Sequence, residues 1–274
     1  MSAVVVFIIF AICLVIAIPI SISLGIVAVL PGAFDASFTA SAGYVIRSMV
    51  GGIDSFPLLA VPMFVLAGIL MAHGKISEKL FDVFVYFLGN KRAGIPCAVI
   101  ITCLFYGAIS GSAPATVAAV GSMTIPLLIE LGYEKDFSTA IVAVAGGLGV
   151  IIPPSIPFIM YAMATGESVS DLFLAGIVPG MMISALLIFY AYYYCRRHGE
   201  DREKIQAKMD QLKAKGFVNI LKESIWALLS PVIVLGCIYS GVASPTEAAV
   251  ISVFYSLFVS LFIYKSIKVK PVSY

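Results

Sequence analysis

Two stretches of this sequence combine small residues, hydroxyls and prolines inside otherwise apolar surroundings. The first is Ser110-Gly111-Ser112-Ala113-Pro114-Ala115-Thr116. Its small residues allow close backbone approach, Pro114 prevents a continuous helix, and Ser110, Ser112 and Thr116 offer hydroxyl oxygens. The second is Gly146-Gly147-Leu148-Gly149-Val150-Ile151-Ile152-Pro153-Pro154-Ser155-Ile156-Pro157. Tandem prolines lack N–H donors and release carbonyls four residues earlier, here at Gly149 and Val150. Hydroxyls and free carbonyls without a nearby carboxylate suit a weakly held monovalent cation. Helix starts after Pro114 and Pro154 carry partial positive charge and suit an anionic substrate group, with Ser112, Pro114, Thr116, Pro154 and Ser155 as the candidates. By contrast, Pro19, Pro62, Pro96 and Pro126 read as ordinary prolines of apolar helices.

Other chemistries find no machinery. No Ser/His/Asp set and no phosphate loop is present, and the chain has only His73 and His198. The five cysteines form no CxxC pair and sit in or beside apolar runs, where they read as small packing residues. Neither an enzyme nor a cofactor is expected.

The elements that must position the two stretches belong to a membrane. Of 274 residues, 61% are hydrophobic and 12% charged, against about 25% charged in a soluble domain. Residues 196–215 hold 11 of the 32 charges, which leaves 21 for the other 254 residues. Such a surface needs lipid to cover it, which rules out a nucleic-acid-binding module, and a net charge of +2 is too small to argue for an acidic partner. Spanning helices of about 20 apolar residues are expected at 4–30, 57–72 (extending back toward residue 52), 137–164, 172–195, 225–240 and 246–264. Residues 75–92 suit either a helix in the interface or a short span. The charged run 201–215 reads as a solvated surface helix. Asp54 to Pro57 reads as a helix start, and Ser244-Pro245-Thr246-Glu247 as a capping box. Met181-Met182 and the tyrosines at 190–194 read as packing and aromatic-belt residues.

Eight Lys/Arg between residues 196 and 222, with Lys265, Lys268 and Lys270, place linker 196–222 and the C-terminus in the cytoplasm. The apolar segment 94–130 is flanked on both sides by basic residues, Lys91-Arg92 and Lys135. It is therefore expected to enter and leave on one side, as a re-entrant helical hairpin with arms of about 13–15 residues. The orientation of residues 1–92 stays open.

At these motifs the sequence resembles the large membrane subunit of the tripartite ATP-independent periplasmic (TRAP) transporters. The matching stretches are residues 54–62 (DSFPLLAVP), 107–112 (GAISGS), 149–157 (GVIIPPSIP), 172–180 (LFLAGIVPG) and 244–249 (SPTEAA). The resemblance implies an all-α, inverted-repeat elevator fold with a re-entrant hairpin and a Pro-Pro-broken helix. It implies sodium-coupled uptake of a small organic anion, such as a dicarboxylate or a sugar acid like sialic acid, across the bacterial inner membrane. The implied partners are a small membrane subunit and a periplasmic substrate-binding protein. The first sodium site of the family maps onto Ser110, Gly111, Ser112, Gly149, Val150, Ile152 and Pro153. On this reading residues 1–92 are N-terminal scaffold and interfacial helices. Residues 93–170 are transport-domain parts, and 171–274 are helices joined by the cytoplasmic linker.

The family's large subunit has two inverted halves, and only one tandem proline and one hairpin occur here. The expectation is an N-terminal half that lacks its C-terminal half and does not transport alone. A half-size transporter completed by homodimerisation, and a non-transporting scaffold or truncated remnant, are the alternatives.

Overall fold

A computed structural model describes residues 3–34, 42–214 and 216–266. Among them every regular element is helical. The chain divides into two compact units, residues 1–55 and 56–274. Contacts thus group residues 56–92 with the rest of the second unit.

The first unit holds α1 (Ala3–Val15), α2 (Ile20–Phe34) and α3 (Ala42–Ile53). The single span expected over 4–30 is therefore two short helices. Ala17 adopts a left-handed φ of 62°. The Ile18 N–H bonds Cys13 O and the Ala17 N–H bonds Leu14 O, both at 3.0 Å, which closes α1 with a Schellman turn. Pro19, which has no N–H to continue the ladder, then precedes α2. It starts a helix rather than kinking one, its carbonyl accepting from the Ile22 and Ser23 N–H groups at 3.0 Å.

In the second unit a 3-10 turn, Phe56–Leu59, leads into α4 (Ala60–His73). The helix start expected at Asp54–Pro57 is this turn, with no extension back to residue 52. Next come α5 (Ile76–Leu88), α6 (Gly94–Ser110) and α7 (Ala113–Glu130). The hairpin arms have 17 and 18 residues, longer than expected, because only Gly111 and Ser112 leave the helical pattern. Both hairpin ends meet one side chain. The Ala93 N–H and the Tyr133 hydroxyl donate to the Glu200 carboxylate at 3.1 and 2.7 Å, so the arms fold back on each other.

The expected broken helix is α8 (Lys135–Gly146), a 3-10 turn (Gly147–Val150), an irregular stretch and α9 (Ile156–Thr165). Then α10 (Val169–His198) runs 30 residues, about 45 Å at 1.5 Å per residue. Val178, Met182, Leu186 and Phe189 form an apolar stripe on it, each at least 62% exposed, the kind of surface that lipid covers. The last elements are α11 (Arg202–Ala214), α12 (Phe217–Tyr239) and α13 (Pro245–Phe258), which ends in a π-helical turn, Val259–Ile263. The capping box at α13 is present, with Ser244 Oγ accepting from Glu247 N and Ser244 N donating to Glu247 Oε2.

The surface helix expected over 201–215 is present as α11, but one of its faces is not solvated. Ile205, Met209 and Leu212, spaced i, i+4 and i+7, are buried, and Met209 packs against Gly89 at the end of α5. Three apolar residues in a charged run suffice when they share one face. Lys268 and Lys270 lie outside the described residues.

Among the described residues, five helices are long and apolar enough to cross a membrane: Phe56–His73, Ala113–Glu130, Val169–His198, Phe217–Tyr239 and Pro245–Ile263. At 13 residues, α5 covers about 20 Å, short of the ~30 Å hydrocarbon core. The centre of the unit is α6, apolar on every face, with Ile95, Val99, Ile100, Cys103, Tyr106 and Ile109 buried. It packs on α5, α7, α8 and α10. Through α6 the hairpin tip is carried against the break between α8 and α9.

Candidate functional site

The tip forms because α6 stops at Gly111, whose φ of 62° favours glycine and whose N–H bonds Gly107 O at 2.9 Å. Ser112 is extended, at φ −140° and ψ 123°, and opens α7, with Pro114 in the first turn. The tip then ties itself together. Ser110 Oγ and Thr116 Oγ1 lie 3.0 Å apart, and Thr116 Oγ1 donates to Ser112 O at 2.9 Å. Both Ser110 and Thr116 are fully buried. The Ser112 side chain makes no capping hydrogen bond.

The break is organised by Ser155. Its hydroxyl donates to Val150 O at 2.7 Å and accepts from the Phe158 N–H at 3.4 Å, which caps α9. Thus Val150 O, expected to be free, is partnered. The Pro153–Pro154 peptide bond is cis.

Tip and break touch through backbone. The Ile156 N–H donates to Gly111 O at 3.3 Å. A Cβ on Gly149 would stand 2.5 Å from Thr116 Oγ1 and 3.0 Å from Ser112 O. A Cβ on Gly107 would stand 2.5 Å from Gly149 Cα. Glycine at both positions is what lets the two segments meet at this distance.

Of the predicted residues, Ser110, Gly111, Ser112, Thr116, Gly149 and Pro154 come together here. Ile152 turns its side chain toward Gly180 of α10, so only its backbone is oriented by the break. Pro153 is buried and Pro114 exposed. The Ser155 hydroxyl is committed to its own segment. The ensemble is a neutral, mostly buried cluster of hydroxyl and carbonyl oxygens, flanked by the N-termini of α7 and α9. Its donors fit a monovalent cation, since oxygen ligands without a carboxylate hold a single charge weakly. Among the described residues no group of three His, Cys, Asp or Glu could hold a transition metal.

Sequence reasoning missed the supports. Tyr106, 1% exposed, donates its hydroxyl to Gly68 O at 2.8 Å, and Gly68 presses directly on Ser110. At the other end of the hairpin, the Glu200 side chain is 2% exposed and also accepts from Arg202 Nη2 at 3.1 Å, while Arg202 Nη1 donates to Asn90 O. Burial and the bond to Glu200 raise the Tyr133 phenol far above its ordinary range. Nothing local distinguishes Glu200 from its neighbours in a charged run. Nearby, Tyr194 stacks on Phe137 at 3.9 Å and donates to Glu134.

The sequence matches the family described as the DctM component of the tripartite ATP-independent periplasmic transporter, over residues 7–273. It is 43% identical over 94% of its length to the isethionate TRAP transporter permease protein DctMQ of Oleidesulfovibrio alaskensis, of which it covers 40%. It is 34% identical over 99% of its length to the C4-dicarboxylate TRAP transporter large permease protein DctM of Rhodobacter capsulatus, covering 63% of that protein. Identity is 38% over 80% of the chain to the 2,3-diketo-L-gulonate TRAP transporter large permease protein YiaN of Escherichia coli, covering 50%. All three are permeases rather than enzymes, and the chain spans between 40% and 63% of their length. With a match running through nearly every residue and through both broken segments, the chain belongs to the DctM family of TRAP transporter membrane components.

Proposed function

We propose that this chain forms the hairpin-bearing part of a sodium-coupled permease that takes up a small organic anion across the bacterial inner membrane. The observation that carries this reading is the seating of the hairpin tip on the broken segment at Gly149, which gathers neutral oxygens beside two helix N-termini. Sodium is held by oxygens of Ser110, Gly111, Ser112, Gly149, Val150, Ile152 and Pro153. Ser112, Pro114, Thr116, Pro154 and Ser155 face the anion, whose charge the starts of α7 and α9 favour. The relatives named above carry isethionate, C4-dicarboxylate or 2,3-diketo-L-gulonate in their names, all organic anions.

The working assembly includes the rest of the large subunit, a small membrane subunit and a periplasmic binding protein. The end bearing Lys91, Arg92, Glu200 and linker 196–222 faces the cytoplasm, and the hairpin is re-entrant from that side. Sodium and anion cross together by an elevator movement of the part that carries the tip.

The test is sodium-dependent uptake in proteoliposomes holding the complete transporter. Ser110→Ala with Ser112→Ala is expected to raise the sodium concentration for half-maximal uptake by about tenfold, as losing an oxygen ligand does. Unchanged sodium dependence would remove the binding role assigned to the tip.

A further inference from the structure

Away from the tip, near the opposite end of the hairpin, a cavity of about 500 Å³ opens between α6 and α10. That volume falls in the range of small-molecule and lipid-tail sites, roughly 300–1,000 Å³. Cys97 and Ile101 form one wall, spaced i and i+4 along α6, and Ile188 and Phe189 form the other. No polar side chain lines this depth. The mouth is different: Lys91 and Arg92 stand there, both exposed, with Tyr192 across from them. Neither cation forms an ion pair among the described residues. The nearest buried carboxylate, Glu200, already accepts from the Ala93 N–H, Tyr133 and Arg202. Arg196 follows Tyr192 by four residues and so falls on the same face of α10.

An apolar slot capped by unpaired cations and an interfacial tyrosine matches one chemistry, a molecule with a hydrocarbon tail and an anionic head. We propose that this groove is a binding site for an anionic phospholipid. One acyl chain lies between α6 and α10, and the phosphate sits at Lys91 and Arg92. A free anion would leave the apolar depth unfilled, and a neutral lipid would leave the two cations unpartnered. Basic pockets between membrane helices select anionic headgroups in this way. The lipid would bear directly on the first arm of the hairpin, the helix that carries the tip.

The test uses the full chain in lipid bilayers, with Phe189→Trp placed in a Trp226→Phe background so that the only indole lines the groove. Brominated phosphatidylglycerol or brominated phosphatidylcholine is titrated into unlabelled phosphatidylcholine. Half-quenching by the brominated phosphatidylglycerol is expected at a mole fraction at least about fivefold lower than by the neutral lipid, the effect of one basic residue at an anionic headgroup. Lys91→Gln with Arg92→Gln should erase that difference, whereas Lys204→Gln with Lys208→Gln should preserve it. Inorganic phosphate at millimolar concentration should not compete.

Equal quenching by the two lipids would overturn the proposal and point to a protein surface as the occupant. Persistence of the preference in the Lys91/Arg92 variant, or its loss to phosphate alone, would overturn it too. Native mass spectrometry supplies a second readout: Ala185→Phe, which fills the groove without touching its charges, should lose the retained phosphatidylglycerol. A variant that keeps the lipid would show that surface charge alone holds it. Thermal melting of each variant separates these outcomes from misfolding.

Discussion

The starts of α7 and α9 use the same local grammar to different ends. Each opens with an extended serine, Ser112 at φ −140° and Ser155 at φ −126°, and each has a proline two residues later, Pro114 and Pro157. Ser155 spends its hydroxyl on its own backbone, donating to Val150 O and accepting from Phe158 N. Ser112 makes no such bond, and Ser110 and Thr116 tie the tip together instead. One hydroxyl is tied into its own segment, and the other makes no capping bond. Two positions that look alike in sequence are thereby separated by what surrounds them.

The widest break in this comparison comes from forcing the two starts apart. Gly149→Ala puts a methyl 2.5 Å from the Thr116 side-chain oxygen and 3.0 Å from the backbone oxygen of Ser112, and the buried Thr116 hydroxyl is already held by Ser110 and Ser112. It is expected to cost about 2–3 kcal/mol in thermal or denaturant unfolding and to reduce uptake by the complete transporter at least about tenfold. A variant with normal uptake would mean that tip and break need not meet.

A disturbance at the hairpin's other end should act on folding and leave the serines as they are. Glu200→Ala strips partners from the Ala93 N–H and the Tyr133 hydroxyl and is expected to destabilise the chain by about 2 kcal/mol. Sodium half-saturation of the folded fraction should stay unchanged. A shift there would show that the base of the hairpin sets its tip.

The serines themselves give the finer tests. Ser155→Ala removes a helix cap and should cost about 1 kcal/mol of stability, read from the shift in unfolding midpoint. Ser112→Ala should change stability by less than about 0.5 kcal/mol, since no capping bond is lost, while raising sodium half-saturation about fivefold. If the two substitutions exchanged these phenotypes, the assignment of roles would be reversed.

Much of this architecture was legible in the chain. Pro114 and the tandem Pro153-Pro154 cannot continue a helix, so breaks at 111–112 and 151–155 follow from backbone chemistry. Ser244 and Glu247 announced their capping box by spacing alone. The division of the first apolar run was hard to read, because its 27 residues carry no charge, Pro19 fits a kink as well as a break, and the decisive turn rests on Ala17 in a left-handed conformation. The buried face of α11 was hidden for the opposite reason, since its three apolar residues are dispersed among charges and only a facing α5 makes them a stripe. Glu200 had no signal, because a carboxylate in a charged run becomes a clamp only when two distant segments reach it.

Composition and breakers determined by themselves that this is a membrane chain with two interrupted helical segments. Those properties follow from the solvent each residue prefers and from the N–H groups that proline lacks, and both are local. The tertiary structure alone decided that the segments touch at Gly107 and Gly149, that Ser112 is uncommitted while Ser155 is not, and that Glu200 closes the hairpin. Those outcomes depend on which oxygen arrives next to which donor after α6 is buried, and sequence spacing does not encode that distance.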